Sequence, residues 1–263
     1  MTKRYAVLGS PISHSKSPTI HNAAFSSLGV DAEYVAFELG DNLEQFLASQ
    51  PKEFLGFSVT MPLKEQALNV AERVDSLAIG SGAANTLIRT ESGWDAFNTD
   101  VFGIQMALAG RKFKTVSILG TGATARSAIV AMQELDKSVT IWGRNSAVIK
   151  QLTAEYEVGF EPQLHKAVRA DLVIATLPPR ALDEHLEGIS AKPSGLLLDV
   201  AYDPWPSKAA ALWGSERTIS GLEMLIWQAV GQQRLFAGND LSEALNGEKE
   251  LLLAVRRALD VAK

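Results

Sequence analysis

A strand-like run, Val116-Ser117-Ile118-Leu119, leads directly into Gly120-Thr121-Gly122-Ala123-Thr124-Ala125 and then into a helical pattern. This is a G-x-G-x-x-A turn in the strand–turn–helix setting that a dinucleotide site requires. Gly120 permits the tight turn, Gly122 lets the backbone approach a pyrophosphate, and the small Ala125 allows close helix–strand packing. The helix start adds free N–H groups and the positive end of its dipole for the phosphates. The end of the following strand separates the nicotinamide cofactors: an acid there accepts from a ribose 2′-OH, whereas an Arg accommodates a 2′-phosphate. Trp142-Gly143-Arg144-Asn145 stands at that place and contains no acid. Arg144 is a permanently charged planar fork suited to phosphate, so the expected cofactor is NADP(H) rather than NAD(H).

A second cluster, Ser10-Pro11-Ile12-Ser13-His14-Ser15-Lys16-Ser17-Pro18-Thr19-Ile20-His21-Asn22, gathers hydroxyls, two His and a Lys beside a helix start. Hydroxyl donors, helix N–H groups and the dipole together suit a small carboxylate. The plainer reading is that Ser17 caps the helix. His14 and His21 lack nearby acidic or Cys ligands, so no metal is expected.

Short apolar runs alternate with helical patterns along the chain. Strands are expected at residues 5–8, 32–37, 54–60, 116–119, 139–142, 172–176 and 196–200, with a hairpin of 85–89 and 93–97 turning at Glu91-Ser92. Helices are expected at 17–28, 43–49, 63–70, 123–135 and 147–157, with Ser17-Pro18 opening the first. Strands alternating with helices imply βαβ units and parallel sheets. From Gly221 onward the chain reads as helical throughout, and Leu251, Val255 and Leu259 form one apolar stripe that must dock somewhere. The five tryptophans read as core rather than as a stacking surface.

The 263 residues suffice for one large or two modest domains. Hydrophobic residues at 46% and charged residues at 21% mark a globular chain. The absence of cysteine excludes a disulfide framework, a thiol nucleophile and Cys-ligated metal, and fits a reducing compartment. A net charge of −5 argues against nucleic acid as a partner. The first residues are too short an apolar run for a signal sequence, and no stretch is long enough to span a membrane. A cytoplasmic α/β protein acting on a small molecule is expected.

Six motifs in order carry a resemblance. Gly9-Ser10-Pro11-Ile12-Ser13-His14-Ser15-Lys16-Ser17-Pro18 is followed by Ser58-Val59-Thr60-Met61-Pro62-Leu63-Lys64-Glu65, then Gly82-Ala83-Ala84-Asn85-Thr86 and Asn98-Thr99-Asp100. Asp199-Val200-Ala201-Tyr202-Asp203-Pro204 and Gly221-Leu222-Glu223-Met224-Leu225-Ile226-Trp227-Gln228 complete the set. Together they resemble the shikimate dehydrogenase family, over residues 5 to about 231. The resemblance implies an α/β fold of two domains. Residues 1–103 with 221–263 would form the substrate-binding domain, the C-terminal helices packing back on it, and 104–220 a Rossmann-like NADP-binding domain. It implies reversible NADPH-dependent reduction of 3-dehydroshikimate to shikimate, in aromatic amino acid biosynthesis, without a metal, by a monomer or homodimer. By position, Lys64 and Asp100 would be the catalytic pair. Ser15 and Ser17 would bind the substrate carboxylate, and Thr60, Asn85 and Gln228 its hydroxyls. Gly120, Thr121, Gly122, Ala123, Thr124, Arg144, Asn145, Val200 and Gly221 would line the cofactor, and Tyr202 belongs with both groups.

The chemistry fits those residue types. Hydride transfer to a ketone generates an alkoxide that needs a proton donor within ~2.6–3.2 Å. A lysine ammonium, near ~10.4 in water, becomes a better donor when desolvated. A neighbouring Asp holds it and limits the desolvation cost. An amide such as Asn85 or Gln228 both donates to and accepts from ring hydroxyls.

Four departures from the family pattern stand out. Ser58 occupies a place where the family usually has Asn, and its shorter side chain weakens one contact. Gly-Thr-Gly-Ala replaces the usual Gly-Ala-Gly-Gly, and Gly143-Arg144-Asn145 replaces the usual Asn-Arg-Thr. Val148 stands where a second Arg is often found, so NADP selectivity rests largely on Arg144. The competing readings are a quinate/shikimate dehydrogenase accepting NAD, a non-catalytic NADP-binding paralogue, and a dehydrogenase of another cyclitol.

Overall fold

The structure is a computed structural model that describes residues 2–186, 189 and 192–260, without the side chain of Glu184. The chain divides into two compact units, residues 1–103 with 226–263, and residues 104–225.

The first unit begins with β1 (Lys3–Gly9), α1 (Ser17–Leu28), β2 (Ala32–Glu38), α2 (Leu43–Ser49) and β3 (Phe54–Val59). It continues through α3 (Gln66–Asn69), β4 (Arg73–Val74), α4 (Ser76–Ser81), β5 (Thr86–Arg89), β6 (Trp94–Phe97) and α5 (Thr99–Ala107), which runs on into the second unit. Its sheet has the order β2-β1-β3-β5-β6-β4. β1 pairs in parallel with β2 and β3, while β3–β5 and β5–β6 are antiparallel. The expected hairpin forms, closed by the bond from Thr90 N–H to the Gly93 carbonyl. Alternation along β1 feeds two apolar layers, because successive side chains of a strand face opposite ways. Ala6 and Leu8 pack with Leu47, Phe57 and Leu87, and Tyr5 and Val7 pack with Phe25 and Tyr34.

The second unit holds β7 (Thr115–Leu119), α6 (Ala123–Gln133), β8 (Ser138–Trp142), α7 (Ser146–Tyr156), β9 (Gly159–Phe160) and α8 (Leu164–Ala167). β10 (Leu172–Ala175), α9 (Asp183–Leu186), β11 (Leu196–Asp199), α10 (Lys208–Trp213) and β12 (Thr218–Ser220) follow, and α11 (Gly221–Phe236) starts there. The sheet order β12-β11-β10-β7-β8-β9 is parallel throughout, the doubly wound Rossmann arrangement. All four residues of β10 are buried, as expected of a central parallel strand covered on both faces.

The chain returns to the first unit within α11, and α12 (Glu248–Ala258) follows there. α12 packs on α1, with Leu251 and Val255 buried. That is where the apolar stripe docks.

Four local expectations need correction. Residues 237–247 are not helical, and Gly238 and Gly247 take positive φ there. The helix expected at 63–70 shrinks to α3, because the Lys64 carbonyl accepts from Ala84 N–H (2.9 Å) instead of continuing the helical ladder. Ser17 is not a cap: Lys16 occupies that position, and the Ser15 hydroxyl accepts from Ser17 N–H (3.3 Å). Trp205 is 41% exposed and lies outside the core that holds Trp94, Trp142 and Trp213.

Candidate active site

The topology of the first sheet collects the expected substrate residues at one end. β1 and β3 are parallel, so Gly9 and Val59 finish together, and Thr60 N–H donates to the Leu8 carbonyl (2.8 Å). β5 runs the opposite way, so Asn85, just before it, stands beside the end of β3, and its carbonyl accepts from Val59 N–H (2.7 Å). β6 reverses again and delivers Asn98, Thr99 and Asp100 to the same end, where Asn85 N–H donates to the Phe97 carbonyl (3.0 Å). Ser15 and Ser17 follow β1 at the start of α1, Ser15 half-buried and Ser17 buried.

Lys64 and Asp100 meet at this end. Lys64 Nζ donates to Asp100 Oδ2 at 2.5 Å, with side chains 14% and 7% exposed. Asp100 lies in the first turn of α5, where a carboxylate is favoured by the helix dipole. Asn98 secures that turn: its Oδ1 accepts from Asp100 N–H (2.9 Å), and its Nδ2 donates to the Ser81 hydroxyl and the Ala83 carbonyl. Asn85 Nδ2 donates to the second carboxylate oxygen, Asp100 Oδ1 (2.8 Å), and lies 3.3 Å from Gln228 Oε1. A buried charge pair survives where hydrogen bonds occupy its remaining lone pairs, and Asn85 does that here. The pair leaves Lys64 partly exposed, with ammonium hydrogens free to face a ligand.

The second unit shapes the G-x-G-x-x-A turn as a phosphate approach. Gly120 has φ +131°, and a Cβ there would lie 2.3 Å from Thr176 Oγ1, so only glycine fits. Gly122, in contrast, has an ordinary φ of −85°, and nothing lies within 4 Å of the place a Cβ would take. The space a side chain would fill is therefore open beside the first N–H groups of the 11-residue α6, whose N-cap makes no side-chain hydrogen bond. These residues fit a dinucleotide pyrophosphate. Thr121, Ala123 and Thr124 flank the same turn, half-buried. Arg144 is exposed at the end of β8. Asn145 acts as the N-cap of α7, its Oδ1 accepting from Ala147 N–H and Val148 N–H. Val200 N–H donates to the Ala175 carbonyl (3.0 Å), and a Cβ on Gly221 would lie 2.2 Å from the Val200 carbonyl oxygen, so glycine allows that close packing. Tyr202 is half-buried beyond β11, and burial pushes its phenol up.

Residues 7–87 match the family described as the shikimate dehydrogenase substrate binding domain, and 115–202 match one described as NADP oxidoreductase, coenzyme F420-dependent. The shikimate dehydrogenase (NADP(+)) of Ignicoccus hospitalis is 31% identical over 249 residues, 89% of this chain and 93% of that protein. The chain belongs to the shikimate dehydrogenase family. The crystal structure of Mycobacterium tuberculosis shikimate dehydrogenase superposes with a TM-score of 0.85 at 36% identity, covering 97% of this chain and 99% of that one. The Thermus thermophilus shikimate 5-dehydrogenase, in complex with NADP(H) and shikimate, gives 0.84 at 30% identity, covering 97% and 99%.

Within this family member, the structure joins Lys64, Asp100, Asn85 and Gln228 by hydrogen bonds and sets Thr60 beside them at the strand ends. Ser58 is buried, and its hydroxyl accepts from Tyr34 Oη (2.5 Å) and donates to Gln232 Oε1 (2.8 Å). Sequence reasoning missed Thr86, Thr99 and Gln232 as supports of Asn85. Gln232 lies one helical turn after Gln228, a spacing that puts both on one face of α11. His21 is fully buried, its two ring nitrogens 3.0 Å from Gln232 Oε1 and 2.8 Å from Gln233 Nε2.

Proposed function

We propose that this chain catalyses the reversible NADPH-dependent reduction of 3-dehydroshikimate to shikimate, a step of aromatic amino acid biosynthesis. The observation that carries the reading is the buried Lys64–Asp100 pair, with Asn85 closing the other carboxylate oxygen. NADP(H) supplies the hydride to the ring ketone when bound. Lys64 donates a proton to the oxygen that becomes the hydroxyl, and takes one back in the reverse direction. Asp100 holds the Lys64 ammonium in place and stabilises its charge. Asn85 and Gln228, with Thr60, bind ring hydroxyls. Ser15 and Ser17 hold the carboxylate, supported by the N-terminal end of the 12-residue α1. Gly120 to Thr124, Arg144, Asn145, Val200 and Gly221 line the cofactor, and Tyr202 contributes its phenol.

The roles of the units follow: the first binds substrate and the second NADP(H). The acidic charge, the lack of cysteine and the absence, among the described residues, of a helix able to cross a membrane support a cytoplasmic enzyme without nucleic-acid partners, a monomer or homodimer.

The test is oxidation of shikimate, and separately of quinate, with NADP⁺ and NAD⁺ in parallel. Turnover concentrated on shikimate with NADP⁺ supports the reading. Turnover mainly on quinate with NAD⁺ assigns a different specificity. NADPH binding without turnover on either substrate removes the substrate assignment.

A further inference from the structure

We propose that Thr86 and Gln232 are positioning residues for the Lys64–Asp100 pair, acting through Asn85. The inference rests on the reading of Lys64 and Asp100 given above. Both residues are fully buried. Gln232 Nε2 donates to the Asn85 carbonyl (3.1 Å) and to Thr86 Oγ1 (2.9 Å). A main-chain carbonyl only accepts, so this contact sets the orientation of the Gln232 amide. Its Oε1 then points back to accept from the Ser58 hydroxyl (2.8 Å) and from His21 Nε2–H (3.0 Å).

The direction propagates. A threonine hydroxyl has a single hydrogen. Thr86 Oγ1 already accepts from Gln232, and its own hydrogen goes to Asn85 Oδ1 (2.8 Å). Thr99 N–H donates to the same oxygen (2.9 Å). With Oδ1 held by these donors and by the Thr99 hydroxyl (3.1 Å), Asn85 Nδ2 is left to face Asp100 Oδ1 (2.8 Å), and Asp100 Oδ2 faces Lys64. An Asn85 amide turned over would set an oxygen against the carboxylate, two acceptors in contact. Thr86 and Gln232 therefore act on the proton donor from behind, through one chain of bonds. Small displacements of such a group are costly, since a misplacement of about 1 Å can lower a rate by roughly 10²-fold.

The experiment compares the parent with Thr86→Val, Thr86→Ser, Gln232→Met and the double variant Thr86→Val/Gln232→Met. Shikimate oxidation by NADP⁺ is measured well below each melting temperature, with folding checked by circular dichroism. Thr86→Val, which keeps shape and removes the hydroxyl, lowers kcat about 10-fold or more while KM for NADP⁺ stays within about twofold. Thr86→Ser, which restores the hydroxyl, returns kcat to within about threefold of the parent. The double variant loses no more than the worse single variant, since coupled residues are not additive.

A folded Thr86→Val with parental kcat overturns the proposal, as does a Thr86→Ser variant as slow as Thr86→Val, or full additivity in the double variant. A merely structural role lowers the melting temperature and leaves these rates alone. Should Thr86→Val fail to fold, Gln232→Met decides, and its parental kcat overturns the proposal. A parent with no shikimate turnover overturns the functional reading and this inference with it. An active parent with unaffected variants overturns the inference alone.

Discussion

Acidification from pH 8 to pH 5 is expected to cost this protein about 2 kcal/mol of stability through one side chain, His21. The imidazole is fully buried, stacked on Tyr34 with ring centroids 4.2 Å apart, and enclosed by the amides of Gln232 and Gln233. Burial pushes it down to about 3, only partly offset by the hydrogen bond to Gln232. Protonation would also set a second ring N–H against the Gln233 amide nitrogen, which lies 2.8 Å from Nδ1. In the unfolded chain the same imidazole titrates near ~6.5. The folded value is the lower one, so between these values the unfolded chain binds a proton that the folded chain refuses. Stability is therefore complete above about pH 6.5 and falls as pH drops toward the folded value. At pH 5 the unfolded imidazole is about 1.5 units below its own midpoint, and at ~1.4 kcal/mol per unit this gives about 2 kcal/mol. That figure depends on the unfolded midpoint and hardly at all on how far below pH 5 the folded one lies. Urea unfolding of the parent and of His21→Asn at both pH values isolates the contribution, because the change between pH values is compared and every other group cancels. The parent should lose about 2 kcal/mol more than the variant. Equal pH dependence in the two proteins would refute the reasoning.

Three further outcomes can be checked. Arg144→Ala should raise KM for NADP⁺ by about 10-fold or more and leave KM for NAD⁺ nearly unchanged, as expected when one charge-assisted contact to a 2′-phosphate is lost. Gly122→Val should melt within a few degrees of the parent, since nothing lies within 4 Å of the added Cβ, yet bind NADPH far more weakly in a calorimetric titration. Gly120→Ala should instead lower stability by about 1–3 kcal/mol, because its φ of +131° and Thr176 Oγ1 both oppose a side chain.

What could be read beforehand follows from how local each cause is. The G-x-G-x-x-A turn was legible because the positive φ of Gly120 and the open space at Gly122 belong to a single strand–turn–helix, whereas the contact of position 120 with Thr176 left no local mark. The parallel second sheet was legible from strands such as Leu172–Ala175, which are apolar on both faces. The short α3 was not, since the Ala84 N–H that takes the Lys64 carbonyl comes from a distant segment and leaves no mark near Lys64. Lys64 and Asp100 themselves carry no local signature. Only the ordered family motifs singled them out, and the reversal of β5 and β6 explains why such distant residues meet. His21 drew attention as part of a polar cluster, yet Ser17, Ile20, His21, Ala24 and Phe25 make up the buried face of α1. That helical spacing marked it as an interior residue. Gln232 stayed hidden because a polar residue on an inward helix face reads as an interruption until its partners, Asn85 and Thr86, are known.

The most direct test of the central claim is the rate of shikimate oxidation by NADP⁺, followed at the nicotinamide absorbance band, for the parent and for Lys64→Ala. Rapid turnover by the parent is expected, with a fall in kcat of about 10³-fold in the variant, the scale of a lost general acid–base group, and NADPH binding intact. A variant that keeps kcat within about tenfold of the parent would contradict the claim.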